Sequence, residues 1–537
     1  MTKRDSTDPL VLDGETLSVN DVLRFLSDPA LPVEISPQAA RRVDRVKLGV
    51  DQALERGGKS TYGFHTGLGR LKSFAVGEAE QSLYQSNILY SHAAGIGPYF
   101  DEDVSRLSML LRANLLLRGN SGVRLELVER LVLFLQKGLL PMLRQIGSLG
   151  VGDLQPMAQL GLCLVGKPEG ELQYQGKVGP ADEVLRLAQV EPIDFPLARL
   201  EALALISGGT VQLATSLYAL AKARRLLDLS DAALSLSLEA MRGSMDAYDA
   251  RVHEARGVQG QIQTAANARR LLRGSQFTTL EGQKVFGQSE RVQDPVSYRA
   301  SPQVHGAVRD ALSYVESVLS RALNAASDNP LFFELADGSF ESLSGGNFHG
   351  AGTGYSMDLA AIVLTDLAVL SERRSARLLD PNMSYGLPMN LVAARHGLNT
   401  GFALIQANAV ALVSEMRILC TPASAGSIPS KNNQEDHNGL GMTAARKCLR
   451  ILDSLEITLA IEILCACQAI DLIWQEAPEL KLGAGTSLIH QLVRSKVPVM
   501  LEDSYTGMML FTAMELMRSE ELLETVRGAW MGSEIGT

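Results

Sequence analysis

Little in this chain points to an oxidising compartment. Five cysteines in 537 residues, Cys163, Cys420, Cys448, Cys465 and Cys467, are too few and too irregularly spaced for a disulfide framework or a zinc site. Cys465 and Cys467 form the one close pair, and on a helix two such side chains point about 200° apart. All five are expected to be reduced core residues. Basic charge is not in excess either: 50 Lys and Arg stand against 60 Asp and Glu, which argues against nucleic acid as a dedicated partner. Uninterrupted apolar runs are missing. The richest windows, residues 359–370 and 457–473, are broken by Asp366 and Glu462, well short of the roughly 20 clean residues of a membrane span, so no membrane insertion is expected. The first eight residues are polar with no apolar stretch behind them, so no secretory leader is expected and the cytoplasm is the default location. Metal-ligand spacing is also lacking. His253, His305, His396 and His490 form no i, i+4 pair with a carboxylate partner, and His437 merely adjoins Glu435 and Asp436, so no metal site is expected.

What the chain has is apolar content, 46% of residues, enough for a large core. Apolar positions recur at three- and four-residue spacing through 198–241, 304–326, 355–379, 400–419 and 443–473, the period of helices, several of them long. Strict alternation is nearly absent, so the fold class is mainly α. Several of these helices are apolar around most of their circumference, which implies burial in a central antiparallel helical bundle or at an interface between copies. A division into residues 1–195, loop-rich and helical, and residues 196–537, the long-helix bundle, is expected.

Four loops gather reactive side chains among glycines: residues 62–69, 147–156, 344–350 and 427–441. One such loop is usually only a turn, but four in one helical chain suggest a constructed site. Their strings carry a resemblance. Tyr62-Gly63-Phe64-His65-Thr66-Gly67-Leu68-Gly69, the segment Asn87 to Gly97, Gln293-Asp294-Pro295 with Arg299, Ser327-Asp328-Asn329-Pro330-Leu331, Ser344-Gly345-Gly346-Asn347-Phe348-His349-Gly350 and Gln434-Glu435-Asp436-His437 occur in the order found in the histidine/phenylalanine ammonia-lyase family. The chain is similar to that family over roughly residues 60–450.

The resemblance implies a helical homotetramer of the fumarase-like type whose active sites are completed by loops from three subunits, removing ammonia or shifting an amino group from histidine, phenylalanine or tyrosine. It implies Tyr62 as the base that takes the β-proton, for which an ordinary phenol pKa near 10 would have to be lowered. Arg299 matches the carboxylate clamp, where a planar guanidinium can bond bidentately. Ser91 and His92 match the histidine-specific ring contact, Glu435 a contact to the substrate's amine or ring, and Gln293 and Phe348 lining positions. Asn347, His349 and Asp328 are expected to hold loops.

The family's electrophile loop, with its Ala-Ser-Gly triplet, is one residue shorter here: Gly147-Ser148-Leu149-Gly150-Val151-Gly152-Asp153-Leu154-Gln155-Pro156. The methylidene-imidazolone group arises when that triplet cyclises and its serine dehydrates. Val151 has no hydroxyl to eliminate, so the group is not expected to form from Gly150, Val151, Gly152 and Asp153, and no other cofactor is implied. Two neighbours change as well: Ser207 stands where the family has asparagine, and Val296 where it has tyrosine. Three readings follow. The first is a lyase that eliminates, adds or isomerises through Tyr62 without the electrophile. The second is an ordinary histidine ammonia-lyase, with the triplet altered or mis-transcribed. The third is a non-catalytic binding homologue.

Overall fold

A computed structural model of the chain describes residues 8–56, 61–288 and 291–531; the polar start examined for a leader lies, up to residue 7, outside them. The structure is mainly helical, as the periodicity predicts, with short strands gathered in small sheets among the described residues.

Two compact units emerge, and each is built from three separate segments. One comprises Met1–Ala219, Val315–Asp358 and Pro422–Arg446; the other comprises Leu220–Tyr314, Leu359–Thr421 and Lys447–Thr537. The continuous division at residue 195 therefore differs from the structure. Its physical reason is that the boundaries at 219, 314, 358 and 446 fall inside the long helices Thr210–Ala240, Ser301–Ala322, Ala351–Leu378 and Gly441–Glu476, which composition does not mark.

In the first unit, helix Gln81–His92 packs against helices Leu154–Leu164 and Glu201–Ile206. Every residue of Glu201–Ile206 is buried, so this short helix is an internal platform. Glu201 at its start is neutralised by Arg124, 2.7 Å away, and accepts from the Ala198 N–H. Hairpin Leu331–Glu334 with Phe340–Leu343 adds Phe332 and Phe340 to a cluster of Val46, Val50, Leu54, Leu200 and Phe64. Phe64 thereby ties the loop carrying Tyr62 to the core.

In the second unit a buried polar node joins four long helices. Arg374 and Glu462, both with no side-chain exposure, meet at 2.5 and 2.8 Å; Ser237 donates to Glu462 and Arg374 donates to Ser301. This explains Glu462 inside an apolar stretch. A buried carboxylate is tolerable when a guanidinium and a hydroxyl satisfy it. By length and composition, the stretch Glu201–Ala240 and helices Ala351–Leu378 and Gly441–Glu476 reach what a membrane crossing requires, contrary to the interruption argument; 89%, 61% and 83% of their apolar windows are buried within the protein. The cysteines are free, four buried and Cys420 only partly so, because it caps the end of helix Ala403–Leu419 outside the core.

Candidate active site

The loop bearing Tyr62 is a tight turn. The Phe64 and His65 N–H groups donate to the Thr61 carbonyl, and the Thr61 N–H donates to His65 Nδ1. Gly63 turns at φ +71°, where a Cβ would also strike Leu203 at 2.3 Å, so only glycine serves there. The Gly69 N–H donates to the Tyr62 hydroxyl at 2.8 Å. Burial pushes the Tyr62 phenol above its ordinary value near 10; the Gly69 bond pulls the other way and the Glu435 charge pushes it up further. The downward shift expected for a phenolate base is thus not supplied by the groups around Tyr62 here.

Tyr62 lines a cavity of about 620 Å³ together with Ser91, His92, Val151, Gly152, Ser207, Phe348 and Glu435. One cavity in the first unit therefore gathers residues from all four glycine-bearing loops and from helix Gln81–His92. Gln293 and Arg299 are not among its lining residues; both are exposed, at the start and end of a loop and short helix Val296–Arg299 in the second unit.

His92 sits at the end of its helix with Nδ1 2.8 Å from the Ile88 carbonyl. A carbonyl only accepts, so Nδ1 carries the proton and Nε2 keeps its lone pair. Burial is the main reason its pKa falls below the ordinary value, so the ring is neutral at pH 7. Ser207 accepts the Asn329 N–H at 3.0 Å, fixing the loop after Asp328. Glu435 pairs with Lys431 at 2.6 Å and accepts from Ser430 at 3.3 Å.

The shortened loop is held on every side. Its backbone bridges His349 through Val151; the Gly350 N–H donates to Gly150 O at 2.8 Å and the Leu440 N–H to Leu149 O at 2.9 Å. Gly150 lies at φ +81° with Gly441 N only 2.7 Å from where a Cβ would stand. Fully buried Asp153 accepts from Ser148 at 2.6 Å and from the Gln212 N–H at 2.7 Å. Burial raises its pKa, while those two donors and the charge of Arg112 lower it. Arg112, itself fully buried and pushed down to about 10 by desolvation, donates to Ala204 O and Thr210 Oγ1. Val151 is 5% exposed and lines the cavity. The chain contains no Ala-Ser-Gly triplet anywhere, and a valine side chain offers no group to eliminate, so the residues present do not fit the family's electrophile.

Asn347 donates to Ala326 O at 3.1 Å and so holds its loop; Asp328 is buried, and desolvation raises its carboxyl pKa against the opposing charge of Arg112. His349 goes further than expected. Its Nε2 lies 3.0 Å from His437 Nδ1, with the rings stacked, joining two of the cavity's loops. Sequence reading also missed Arg70, Lys72, Tyr84 and Lys431 in the wall. Their proximity in sequence to Tyr62, His92 and Glu435 was the available signal. Among the described residues no group of three or more metal-binding side chains occurs.

The family model of the aromatic amino acid lyases matches residues 17–495. This chain belongs to the aromatic amino acid lyase family. It is 40% identical over 521 residues to a histidine ammonia-lyase of Alkaliphilus oremlandii, covering 97% of this chain and 99% of that one. Its fold matches the crystal structure of histidine ammonia-lyase from Trypanosoma cruzi with a TM-score of 0.86 at 33% identity, covering 97% and 96% of the two chains. It also matches ergothionase, an ergothioneine-degrading enzyme of Treponema denticola solved with desmethyl-ergothioneine sulfonic acid, with a TM-score of 0.87 at 29% identity, covering 96% and 100%. The mainly α, fumarase-like helical fold expected from the sequence is that of these lyases.

Proposed function

We propose that this chain is a carbon–nitrogen lyase whose substrate is histidine or a close histidine derivative. The observation that carries the reading is one cavity lined by Tyr62, the Ser91-His92 pair and Glu435. The bare Nε2 of His92 accepts a hydrogen bond, which an imidazole N–H can donate and a phenyl ring cannot. Tyr62 would take the β-proton, the C–H electrons form the C=C bond, and the C–N bond breaks to release the amine. Arg299 reaches the substrate's carboxylate, and Gln293 lines the site, from other copies in a cytoplasmic homotetramer.

The finer proposal is that elimination runs without the methylidene-imidazolone group. It rests on Val151 and on the missing triplet. Losing that electrophile costs several kcal/mol if ammonia must leave unassisted, at tenfold in rate per 1.36 kcal/mol. A substrate with a better leaving group or a more acidic β-proton relieves that cost, and the likeness to an ergothioneine-degrading enzyme directs attention to histidine derivatives.

The second reading, an ordinary histidine ammonia-lyase producing urocanate and ammonia, is favoured by relatives of that name at 40–42% identity. One experiment separates the two. The purified protein is incubated with histidine, N-alkylated histidines and α,β-unsaturated acids, products are weighed, and the peptide spanning residues 147–156 is mapped by mass. The electrophile-free proposal expects an undehydrated peptide and slow or no release of ammonia from histidine. Rapid urocanate formation with a dehydrated loop would establish the ordinary enzyme instead. No turnover of any member, with Tyr62→Phe binding all of them unchanged, would leave a non-catalytic homologue.

A further inference from the structure

The cavity wall holds three cationic side chains, Arg70, Lys72 and Lys431, against one carboxylate, Glu435. Lys431 pairs with that carboxylate at 2.6 Å through one of its three N–H donors, which leaves two donors free and the wall two positive charges in excess. Lys72 reaches only the neutral amide oxygen of Gln434, at 3.1 Å, and among the described residues no carboxylate pairs with Arg70 or Lys72. The remaining titratable groups bring no negative charge: His92 is neutral, and Tyr62 and Tyr84 have phenols raised above their ordinary values. The wall therefore carries positive charge in excess, on side chains that reach solvent and are screened by salt.

The placement of Lys431 is costly to the backbone. Lys431, Asn432 and Asn433 sit consecutively at φ 50°, 55° and 60°, closed by the Ser430–Glu435 bridge. Asparagine tolerates left-handed backbone but for lysine it is unfavourable, and such strain gathers at functional sites. Its result is an ammonium beside Glu435 and near enough to His92 to oppose protonation of that ring. Lys431 thus stands at the end of the cavity where the ring contact lies, while the α-carboxylate has its own expected anchor in Arg299.

Resting on the lyase reading above, we infer that the cavity selects a substrate whose ring carries an anionic substituent, bound by Lys431 and Lys72, in addition to its α-carboxylate. A protonated imidazolium ring is disfavoured at the same place by the same charges.

Calorimetric titration of the full-length protein with cinnamate, 4-carboxycinnamate and urocanate, at low and high salt, tests this. These acids share the acrylate end, and the first two differ only in the ring anion. The expected result is that 4-carboxycinnamate binds roughly tenfold or more tighter than cinnamate, as a charge-assisted hydrogen bond supplies. That ratio should shrink toward one in Lys431→Met and at high salt, and persist in Lys431→Arg. Circular dichroism of each variant checks folding, and Lys72→Met gives an independent second variant. Equal or weaker binding of 4-carboxycinnamate, or a preference that survives the two methionine substitutions together, overturns the inference while urocanate binding leaves the lyase reading standing. Binding of none of the three acids overturns both.

Discussion

If Tyr62 is the base, its ionisation governs the reaction, and the structure fixes how that must look. At pH 7 an ordinary phenol holds about a thousand neutral molecules for each phenolate, about 4 kcal/mol away from the reactive form. Burial and the Glu435 charge increase that gap, and the Gly69 N–H offsets only part of it. With the favoured substrate, kcat/KM should therefore climb about tenfold per pH unit from pH 7 to beyond pH 9, with no plateau at neutrality. Tyr62→Phe should remove the climb and lower the rate at the alkaline end by about 10²–10⁴, the usual range for a lost general base. Steady-state kinetics across that range, with protein integrity checked at each pH, is the assay. A plateau reached below pH 8, or an unchanged climb in Tyr62→Phe, would refute the role of Tyr62 as the proton acceptor in this environment.

The remaining predictions concern binding and stability. His92→Phe should weaken urocanate relative to cinnamate by roughly tenfold, one hydrogen bond's worth, measured by calorimetry. In the unsubstituted protein, urocanate should also bind less well as pH falls below the ordinary histidine value, because the His92 pKa is lowered, Nε2 is bare at neutral pH and becomes a donor only in acid. Arg374→Leu should cost about 3–5 kcal/mol in urea unfolding by stranding Glu462 in the core, and adding Glu462→Leu should recover much of it; a loss below about 1 kcal/mol would contradict the node described. Phe64→Ala should cost about 3–5 kcal/mol and depress turnover through the Tyr62 loop, read by thermal unfolding and kinetics together.

Helical period made the long helices legible, because residues 198–241 and 443–473 repeat apolar side chains at a spacing that needs no tertiary knowledge. Glu462 misled in one respect. As a lone charge it reads as a break in a membrane-length apolar run, whereas Arg374, 88 positions earlier, and Ser237 satisfy it inside the protein. The site was legible where its residues sit in local strings. Tyr62, Ser91, His92, Ser207, Phe348 and Glu435 converge on one cavity as the family's order implies. Lys72 and Lys431 went unread because nearness in sequence to Tyr62 and Glu435 does not set them apart from solvated lysines; what sets them apart is a cavity wall holding three cations for one carboxylate. The pKa direction of Tyr62 was also out of reach, since it depends on burial rather than on neighbours in sequence.

The grip on residues 149–151 has a consequence for any attempt to restore the family's chemistry. Leu149 and Gly150 are each tied by their carbonyls to a different segment, so the stretch between them and Asp153 has no slack. Val151→Ser would return a hydroxyl to eliminate but not the alanine that precedes it in the family, and the Gly150 carbonyl, which the Gly152 nitrogen would have to attack, stays tied to the Gly350 N–H. Regaining the self-made electrophile therefore demands an insertion together with release of one of these ties, a two-event route that single substitutions cannot travel.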